Sequence, residues 1–282
     1  MTAILLLSCP DKKGLVATIS NFILENNWNI INLDEHVATD EKIFFIRVEW
    51  EIPENDFKKE VINLKFEPLA EKINATWQIK FSNDKTRMAI FVSKYDHALQ
   101  DILWRHKINE LNTEIVAIIS NHKDLEELTK IYNIPFHHFP INKETKIFQE
   151  RKEIELLKSL DVNVIVLARY MQILSDNFVT QFPNKIINIH HSFLPAFIGS
   201  NPYKQAFERG VKMIGATSHF VTNNLDEGPI IAQDIIKISH RDSVKDLIRK
   251  GRDLERIVLA NALHYFLEHR VLTYKGKTVV FE

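Results

Sequence analysis

Four short and almost wholly apolar segments constrain the fold of this chain more than any other feature. They span residues 88–92, 115–119, 164–168 and 186–189. The segments between them repeat apolar residues at helical spacing, around 99–105, 125–132 and 150–160. Strands that are apolar throughout are covered on both faces, and strands that alternate with helices form parallel sheets. The pattern therefore predicts an α/β domain with a doubly wound, mostly parallel sheet.

The last part of the chain departs from this alternation. Two successive strands are expected at 213–221 and 230–236, joined by the loop 222–229. A long amphipathic helix follows, and its apolar stripe consists of Val244, Leu247, Ile248, Leu254, Ile257 and Val258. A short strand at 277–281 ends the chain. We assign residues 87–282 to this second domain.

The front of the chain has a different order of elements. The expected elements are a strand at 3–7, a helix from Leu15, strands at 29–37 and 42–50, a helix around Phe57, Val61 and Leu64, and a strand at 76–81. This βαββαβ order predicts a ferredoxin-like sandwich of one sheet and two helices at 1–82. The polar residues 83–86 are the expected linker between the two domains.

Composition excludes several classes of function. The 282 residues include 36 basic and 37 acidic ones, for a net charge of −1, and no basic block marks a nucleic-acid surface. Cys9 is the single cysteine, so an internal disulfide is excluded and a reducing compartment is expected. The longest apolar runs are about five to six residues, far short of a membrane span, and the start does not resemble a signal peptide. We expect a cytoplasmic protein without membrane or nucleic-acid partners.

The richest candidate site follows the fourth apolar segment. Asn188 and His190 are two residues apart on a strand, so their side chains project to the same side, while Ile189 faces the core. An amide and an imidazole aimed together can donate hydrogen bonds to one developing oxyanion. Asp226 lies in the loop between the two late strands, and a carboxylate beside an imidazole can position a water molecule.

Simpler interpretations of these residues remain open on spacing alone. Adjacent histidines, as at His190 and His191, often serve packing or capping, and a loop aspartate is often a turn former. A zinc site from His190, His191, His219 and Asp226 lacks the usual ligand spacing.

Several segments, taken together and in order, resemble the folate-dependent formyltransferase family. They are 134–138 (IPFHH), 167–175 (LARYMQILS), 188–197 (NIHHSFLPAF), 201–210 (NPYKQAFERG), 214–219 (IGATSH) and 225–231 (LDEGPII). Within that family the chain resembles the formyltetrahydrofolate deformylases most, over essentially its full length. Ser8-Cys9-Pro10-Asp11 with Gly14 resembles the opening loop of the ACT domain of these hydrolases.

The resemblance implies a site and a reaction. Asn188 and His190 would stabilise the oxyanion formed at a formyl carbon, and Asp226 would hold His190 and orient or deprotonate water. The implied substrate-binding residues are Met171, Ile173, Leu174, His191, Ser192 and His219. No metal and no cofactor are implied, because 10-formyltetrahydrofolate is itself the substrate. The implied reaction is its hydrolysis to tetrahydrofolate and formate, which supplies formate for purine synthesis and balances the folate pool.

The resemblance also implies regulation through the front domain. Asp11 and Gly14 would hold an amino-acid effector, and a homo-oligomer is expected because exposed strands of ACT domains pair between chains. Lys13 stands where relatives commonly have proline, which leaves the identity of the effector open, and Ala98 stands where cysteine is frequent. A non-catalytic amino-acid sensor built on the same scaffold is a further hypothesis, which the complete set of Asn188, His190 and Asp226 disfavours.

The acceptor of the formyl group is suggested by a missing feature. Enzymes that formylate a ribonucleotide amine need a glycine-rich turn after the first strand to hold phosphate. Here residues 92–97 read VSKYDH and contain no glycine. Water is therefore the favoured acceptor, with formyl transfer to an amine as the alternative.

Overall fold

The computed structural model describes residues 1–53, 58–196 and 202–282. They form two compact units. The first unit comprises Met1–Lys85 with Glu268–Leu272 and Val279–Glu282, and the second comprises Thr86–Leu267 with Thr273–Thr278. No helix within these described ranges is long and apolar enough to span a membrane.

The first unit contains one antiparallel sheet and two helices. Its elements are β1 (Thr2–Pro10), α1 (Leu15–Glu25), β2 (Asn29–Ala38), β3 (Ile43–Glu51), α2 (Lys59–Lys72) and β4 (Thr76–Phe81). The strands lie in the order β2-β3-β1-β4, and all neighbours are antiparallel. This is the element order that the sequence predicts. Phe57, which the prediction placed in the second helix, lies outside the described residues.

The core of this unit is aromatic. Trp28 and Trp50 stack with their ring centroids 5.9 Å apart, and the ring of Phe22 meets Trp28 and Phe66 edge-on. The four residues of α1 that repeat at helical spacing, Leu15, Ile19, Phe22 and Ile23, are buried against this core. Burial of this apolar face, rather than helix propensity, is what stabilises a helix of only 11 residues.

The second unit is built on a seven-stranded sheet. Its strands are β5 (Thr86–Val92), β6 (Thr113–Ser120), β7 (Phe136–His138), β8 (Val164–Leu167), β9 (Ile186–His190), β10 (Met213–Phe220) and β11 (Ile230–Lys237). Its helices are α3 (His97–Lys107), α4 (Glu126–Ile131), α5 (Lys146–Ser159), α6 (Asp176–Gln181), α7 (Pro202–Arg209) and α8 (Val244–Leu267). The strand order is β11-β10-β9-β8-β5-β6-β7.

The sheet is mostly parallel, as predicted. β7, β6, β5, β8 and β9 run parallel, and only β10 and β11 are antiparallel to their neighbours. The four apolar segments are β5, β6, β8 and β9, and every residue of β8 is buried. The chain adds β6 and β7 on one side of β5 and then β8 and β9 on the other. The crevice between the carboxyl ends of β5 and β8 is therefore the topological switch point, where such sheets bind ligands.

The C-terminal residues correct the predicted domain boundary. They form a two-stranded sheet of β12 (Val271–Tyr274) and β13 (Lys277–Val280). Residues 268–272 and 279–282 belong to the first unit, although the sequence placed all of 87–282 in the second. Buried Arg47 explains this, because its guanidinium donates to the backbone carbonyls of Glu268 and His269 at 3.3 and 3.1 Å. At the other boundary, Thr86 is the first residue of β5 and not part of the linker.

Candidate active site

The site begins at the carboxyl end of β9. Asn188 and His190 both line a cavity of ≈ 670 Å³, whereas Ile189 between them is 3% exposed. β10 runs antiparallel to β9 and places His219 directly opposite Asn188. A register shift in the pairing of β10 with β11 falls between Ser218 and His219. Such irregularities re-aim side chains beside functional sites.

The loop after β10 brings Asp226 to these residues. Asp226 has a left-handed backbone with φ 57°, and its Oδ2 lies 3.3 Å from Nδ1 of His190. Its Oδ1 lies 3.7 Å from Nε2 of His219, which is longer than a hydrogen bond. Gly228 closes the loop against β10, since a Cβ there would overlap the backbone oxygen of Phe220. The loop conformation therefore depends on this glycine and fixes the carboxylate.

Asp226 is held ionised by its neighbours. Burial by itself would raise the pKa of its carboxyl, but the hydrogen bond and the charge interaction with His190 outweigh it and hold that pKa below its ordinary value. A carboxylate accepts but does not donate, so Nδ1 of His190 carries the proton between them. Nε2 of His190 is buried and has no hydrogen-bond partner among the described residues. That nitrogen is thus left to act on a ligand in the cavity.

His219 is a neutral imidazole with a defined tautomer. Its side chain is 2% exposed, and burial lowers its pKa below the ordinary value. Nδ1 lies 2.9 Å from the backbone oxygen of Phe220, so Nδ1 carries the proton and Nε2 carries the lone pair. The amide nitrogen of Asn188 lies 3.2 Å from that Nε2 and donates to it. His219 therefore fixes which way the Asn188 amide faces.

The loop after β8 forms an apolar wall of the same cavity. Met171 and Ile173 are 55% and 61% exposed and line the cavity together with Leu174. Tyr170, between Arg169 and Met171, points the other way into the core, and its hydroxyl donates to Glu153 at 3.3 Å. Exposed apolar side chains beside a few convergent polar groups are typical of a small-molecule site.

The cavity continues past His191 to a second polar group. Glu255 of α8 is fully buried and accepts hydrogen bonds from His97 at 2.8 Å and Tyr203 at 2.5 Å. Nε of Arg169 lies 3.5 Å from the same carboxylate. Burial tends to raise the pKa of Glu255, but these partners outweigh it and hold that pKa low. The group is thus a stable anion with partners from three other segments of the chain.

Most of the predicted site residues meet in this cavity. It is lined by Asn188, His190, His191, His219, Asp226, Met171, Ile173 and Leu174. Ser192 lies outside this lining, and its hydroxyl donates to the backbone oxygen of Ala196 at 2.7 Å. Asp11 and Gly14 lie in the first unit, before α1. The side chain of Asp11 does not cap that helix, since Gly14 occupies the cap position with φ 87°.

Arg169 and Glu255 are cavity residues to which the sequence assigned no role. Arg169 lies within a segment that carries the family resemblance, but no spacing singles it out. Glu255 had a usable signal: it adjoins Leu254 and is four residues after Gly251, on the buried face of an amphipathic helix. A charge on an apolar face is informative because it must find partners when buried. Among the described residues, no group of three or more histidine, cysteine, aspartate or glutamate side chains is arranged to hold a metal ion.

Comparison with known proteins identifies the family of this chain. Its residues 86–263 match the formyl transferase family. It is 54% identical to the formyltetrahydrofolate deformylase of Synechocystis over 281 residues, which cover 100% of this chain and 99% of that one. The chain belongs to the formyltetrahydrofolate deformylase family. The structure of the Pseudomonas syringae deformylase superposes with a TM-score of 0.96 at 41% identity, covering 100% of this chain and 94% of that one.

The chain also resembles a ribonucleotide transformylase, over a smaller share of its length. The glycinamide ribonucleotide transformylase of Symbiobacterium toebii superposes with a TM-score of 0.67 at 29% identity. That match covers 72% of this chain and 97% of the transformylase. Deformylases such as the Pseudomonas syringae enzyme therefore match this chain over a larger share of its length.

Proposed function

We propose that this chain hydrolyses 10-formyltetrahydrofolate to tetrahydrofolate and formate. The proposal is carried by one observation: Asn188, His190 and Asp226 lie together at the carboxyl end of β9, beside the apolar wall of the cavity. Whole-length similarity to deformylases at 54% identity supports the substrate. The apolar wall of Met171, Ile173 and Leu174, with the loop 222–228, suits the flat pterin ring.

Each polar group has a role in amide hydrolysis. The oxygen of a water molecule bonds to the formyl carbon, and the water gives up a proton to Asp226, whose Oδ1 accepts no short hydrogen bond from His219. The resulting oxyanion accepts a hydrogen bond from the Asn188 amide and lies beside His190, whose Nε2 has no other partner among the described residues. Collapse of this intermediate breaks the bond from carbon to N10, which takes the proton that Asp226 received from the water, and formic acid leaves and ionises to formate.

Water is the acceptor that the switch point favours. After β5 the chain continues through Tyr95 and His97 without a glycine-rich turn; Tyr95 lines the cavity, and His97 contacts the buried Glu255. A backbone cradle for a phosphorylated acceptor is therefore not provided there. Formyl transfer to an amine remains the second candidate, because the transformylase of Symbiobacterium toebii shares the fold.

The decisive assay omits any acceptor. The protein is incubated with 10-formyltetrahydrofolate alone, and formate and tetrahydrofolate are both quantified. Equal amounts of the two products support hydrolysis, whereas turnover that requires an added amine supports transfer. The same assay after exhaustive chelation tests the proposal that no metal and no cofactor takes part. Loss of formate release on chelation, with recovery on adding zinc, would revive a metal mechanism.

We further propose that the front unit is an ACT-type regulatory domain of ferredoxin-like fold, with boundaries near 1–82. Its strand order β2-β3-β1-β4 and the left-handed Gly14 before α1 support this. The effector would be a small amino acid, with its carboxylate held by backbone amides near Asp11 and Gly14. Calorimetry with glycine and methionine, on the full chain, tests this. Absence of heat and unchanged kinetics with both would argue against regulation.

We also propose an assembly and a cellular role. β2 is an edge strand, and most of its residues are exposed or half-buried, so it is suited to pair with another copy of the chain. Light scattering tests this homo-oligomer. A single buried cysteine, Cys9, suits the cytoplasm. There the reaction would supply formate for purine synthesis and balance the pool of one-carbon folates.

A further inference from the structure

Two arginines near the switch point between β5 and β8 have no role in the hydrolysis proposed above. Arg169 follows β8 and Arg252 lies on α8, and both line the cavity. Their guanidinium carbons lie 5.2 and 5.5 Å from the centre of the Tyr95 ring. At these distances the aromatic ring attracts both guanidinium groups through cation–π interactions, so the two cations lie close together.

Arg169 is buried with donors to spare. Its side chain is only 10% exposed, and its backbone is left-handed with φ 64°. Nε and Nη1 are buried, and neither donates a hydrogen bond to any residue in the described ranges. Buried N–H groups without acceptors are unfavourable, so such a group in a cavity wall is suited to meet an acceptor from a ligand.

The neighbouring carboxylate does not use up this charge. Glu255 already accepts from His97 and Tyr203, and its closest approach to Arg169 is the 3.5 Å ion pair with Nε. Lys204 also lines the cavity and adds positive charge. The whole lining sets the carboxylates of Asp226 and Glu255 against Arg169, Arg252 and Lys204, and Lys204 also lies 3.7 Å from Glu208. Asp226 interacts with His190, so the two guanidinium groups beside Tyr95 have Glu255 as their nearest cavity carboxylate, and the balance there favours a small anion.

The cavity joins this cluster to the catalytic residues. The ring of His191 stacks on His190 at 5.3 Å and lies 5.9 Å from the ring of Tyr203, which contacts Glu255. His191 is an uncharged part of the cavity wall, since burial lowers its pKa to about 4. His191 thus lies in the cavity wall between His190 and Tyr203, which contacts Glu255.

We propose that Arg169 and Arg252 form an anion subsite that takes the carboxylate of formate as it leaves the reaction centre. This rests on the proposed hydrolysis, in which formate is the one small anion produced. A planar guanidinium offers two parallel N–H groups that match the two oxygens of a carboxylate. Arg169 supplies the N–H donors that have no partner, and the exposed Arg252 adds attraction from its position beside Tyr95.

The test uses formate itself as the probe and needs no turnover. Carbon-13 formate is titrated into the full-length protein without folate, and its NMR line width and shift are followed. We expect saturable binding that weakens by about tenfold or more in Arg169→Gln and by a smaller factor in Arg252→Gln. Arg241→Gln is the matched control, because Arg241 is exposed and lies outside the cavity lining. Formate inhibition of folate turnover should follow the same order.

Several outcomes would overturn the subsite. They are the absence of saturable formate binding to the wild type, equal affinity in Arg169→Gln and wild type, or tighter binding of inorganic phosphate than of formate. If Arg169→Gln does not fold, unchanged affinity in Arg252→Gln counts against the proposal, because that exposed side chain can be replaced safely. If the protein binds formate but releases none from 10-formyltetrahydrofolate, the proposed function and the assignment of formate as the occupant are refuted. The anion site itself then stands.

Discussion

The amide nitrogen of Asn188 donates to Nε2 of His219 across the β9–β10 pair, at 3.2 Å. Because Nδ1 of His219 is committed to the backbone oxygen of Phe220, only the neutral ring can accept this bond. The low pKa that burial gives His219 keeps it neutral at working pH. One N–H of Asn188 is thereby fixed, and the second is left for the substrate oxyanion. His219 is thus a positioning residue for Asn188.

Replacement of His219 should lower the turnover rate more than the affinity for folate. In His219→Ala the Asn188 amide loses its acceptor and can rotate, so we expect kcat to fall by roughly 10–10²-fold, less than full loss of an oxyanion donor. His219→Gln retains a side-chain oxygen that can accept the same bond and should recover part of the rate. Steady-state kcat and KM for the two variants test this. Equal rates for Ala and Gln would assign His219 a merely structural role.

Removal of the charge of Asp226 should slow the chemical step strongly. Asp226→Asn keeps the size of the side chain but loses the proton acceptor and the partner that holds His190 at 3.3 Å. We expect kcat to fall by roughly 10²–10⁴-fold, the range for a positioned acid-base group. Folate binding should change little, because Met171 and Leu174 are untouched. Single-turnover kinetics and equilibrium binding of tetrahydrofolate measure the two effects separately.

The adjacent carboxylate provides the control for that variant. Glu227 is exposed in the same loop, and its Oε2 accepts from Asn224 at 2.9 Å. Glu227→Gln removes one charge from the loop without removing a group that faces the cavity. It should keep near-normal turnover. Near-normal turnover in Asp226→Asn, with the fold intact, would remove Asp226 from the mechanism.

Asn188 and Asp226 should not act independently. Asn188→Ala should lower kcat by roughly 10²–10³-fold as a lost oxyanion donor. Since both residues act on one tetrahedral intermediate, the double variant Asn188→Ala with Asp226→Asn should lose less than the product of the two single losses. A double-mutant cycle on kcat/KM measures this coupling. Strictly multiplicative losses would show that the two side chains act in separate steps.

The sheet and part of the site were predictable because their signals are local. Continuous apolar runs identify β5, β6, β8 and β9, since a strand covered on both faces needs apolar residues at every position. The two-residue spacing of Asn188 and His190 gives their shared direction from strand geometry alone. The three-residue β7 and the six-residue α6 are too short for a periodic pattern, and both were missed.

The rest of the site depends on contacts that are distant in sequence. Glu255 is buried because His97, Arg169 and Tyr203 converge on it from three other segments. Tyr203 can reach it only because Gly251 leaves room, as a Cβ there would overlap the tyrosine ring. No spacing rule relates these positions. The return of the C-terminal residues to the first unit is of the same kind, since it is fixed by Arg47.

Gly228 should tolerate no side chain. A Cβ at this position would overlap the backbone oxygen of Phe220, next to His219, and backbone on both sides leaves little freedom to relax. Gly228→Ala should displace the loop that carries Asp226, and a shift of about 1 Å can lower kcat roughly 10²-fold. Gly210→Asn is the control, because Gly210 has φ 65° with open space around it and asparagine tolerates that conformation. Turnover and the melting temperature of both variants check this, and an active Gly228→Ala enzyme would contradict it.

Two buried histidines should make the protein less stable in mild acid. Burial lowers the pKa of His191 in the second unit and of His269 in the first unit to about 4, from an ordinary value of 6.5. Between these values the unfolded chain binds more protons than the folded one, so the free energy of unfolding must fall as the pH falls from 6.5 towards 4. His269→Asn, which suits the left-handed backbone there, should flatten this dependence, whereas replacing exposed His240 with glutamine should not. Urea unfolding across this pH range measures it, and an unchanged slope in His269→Asn would show that His269 is protonated in the folded state.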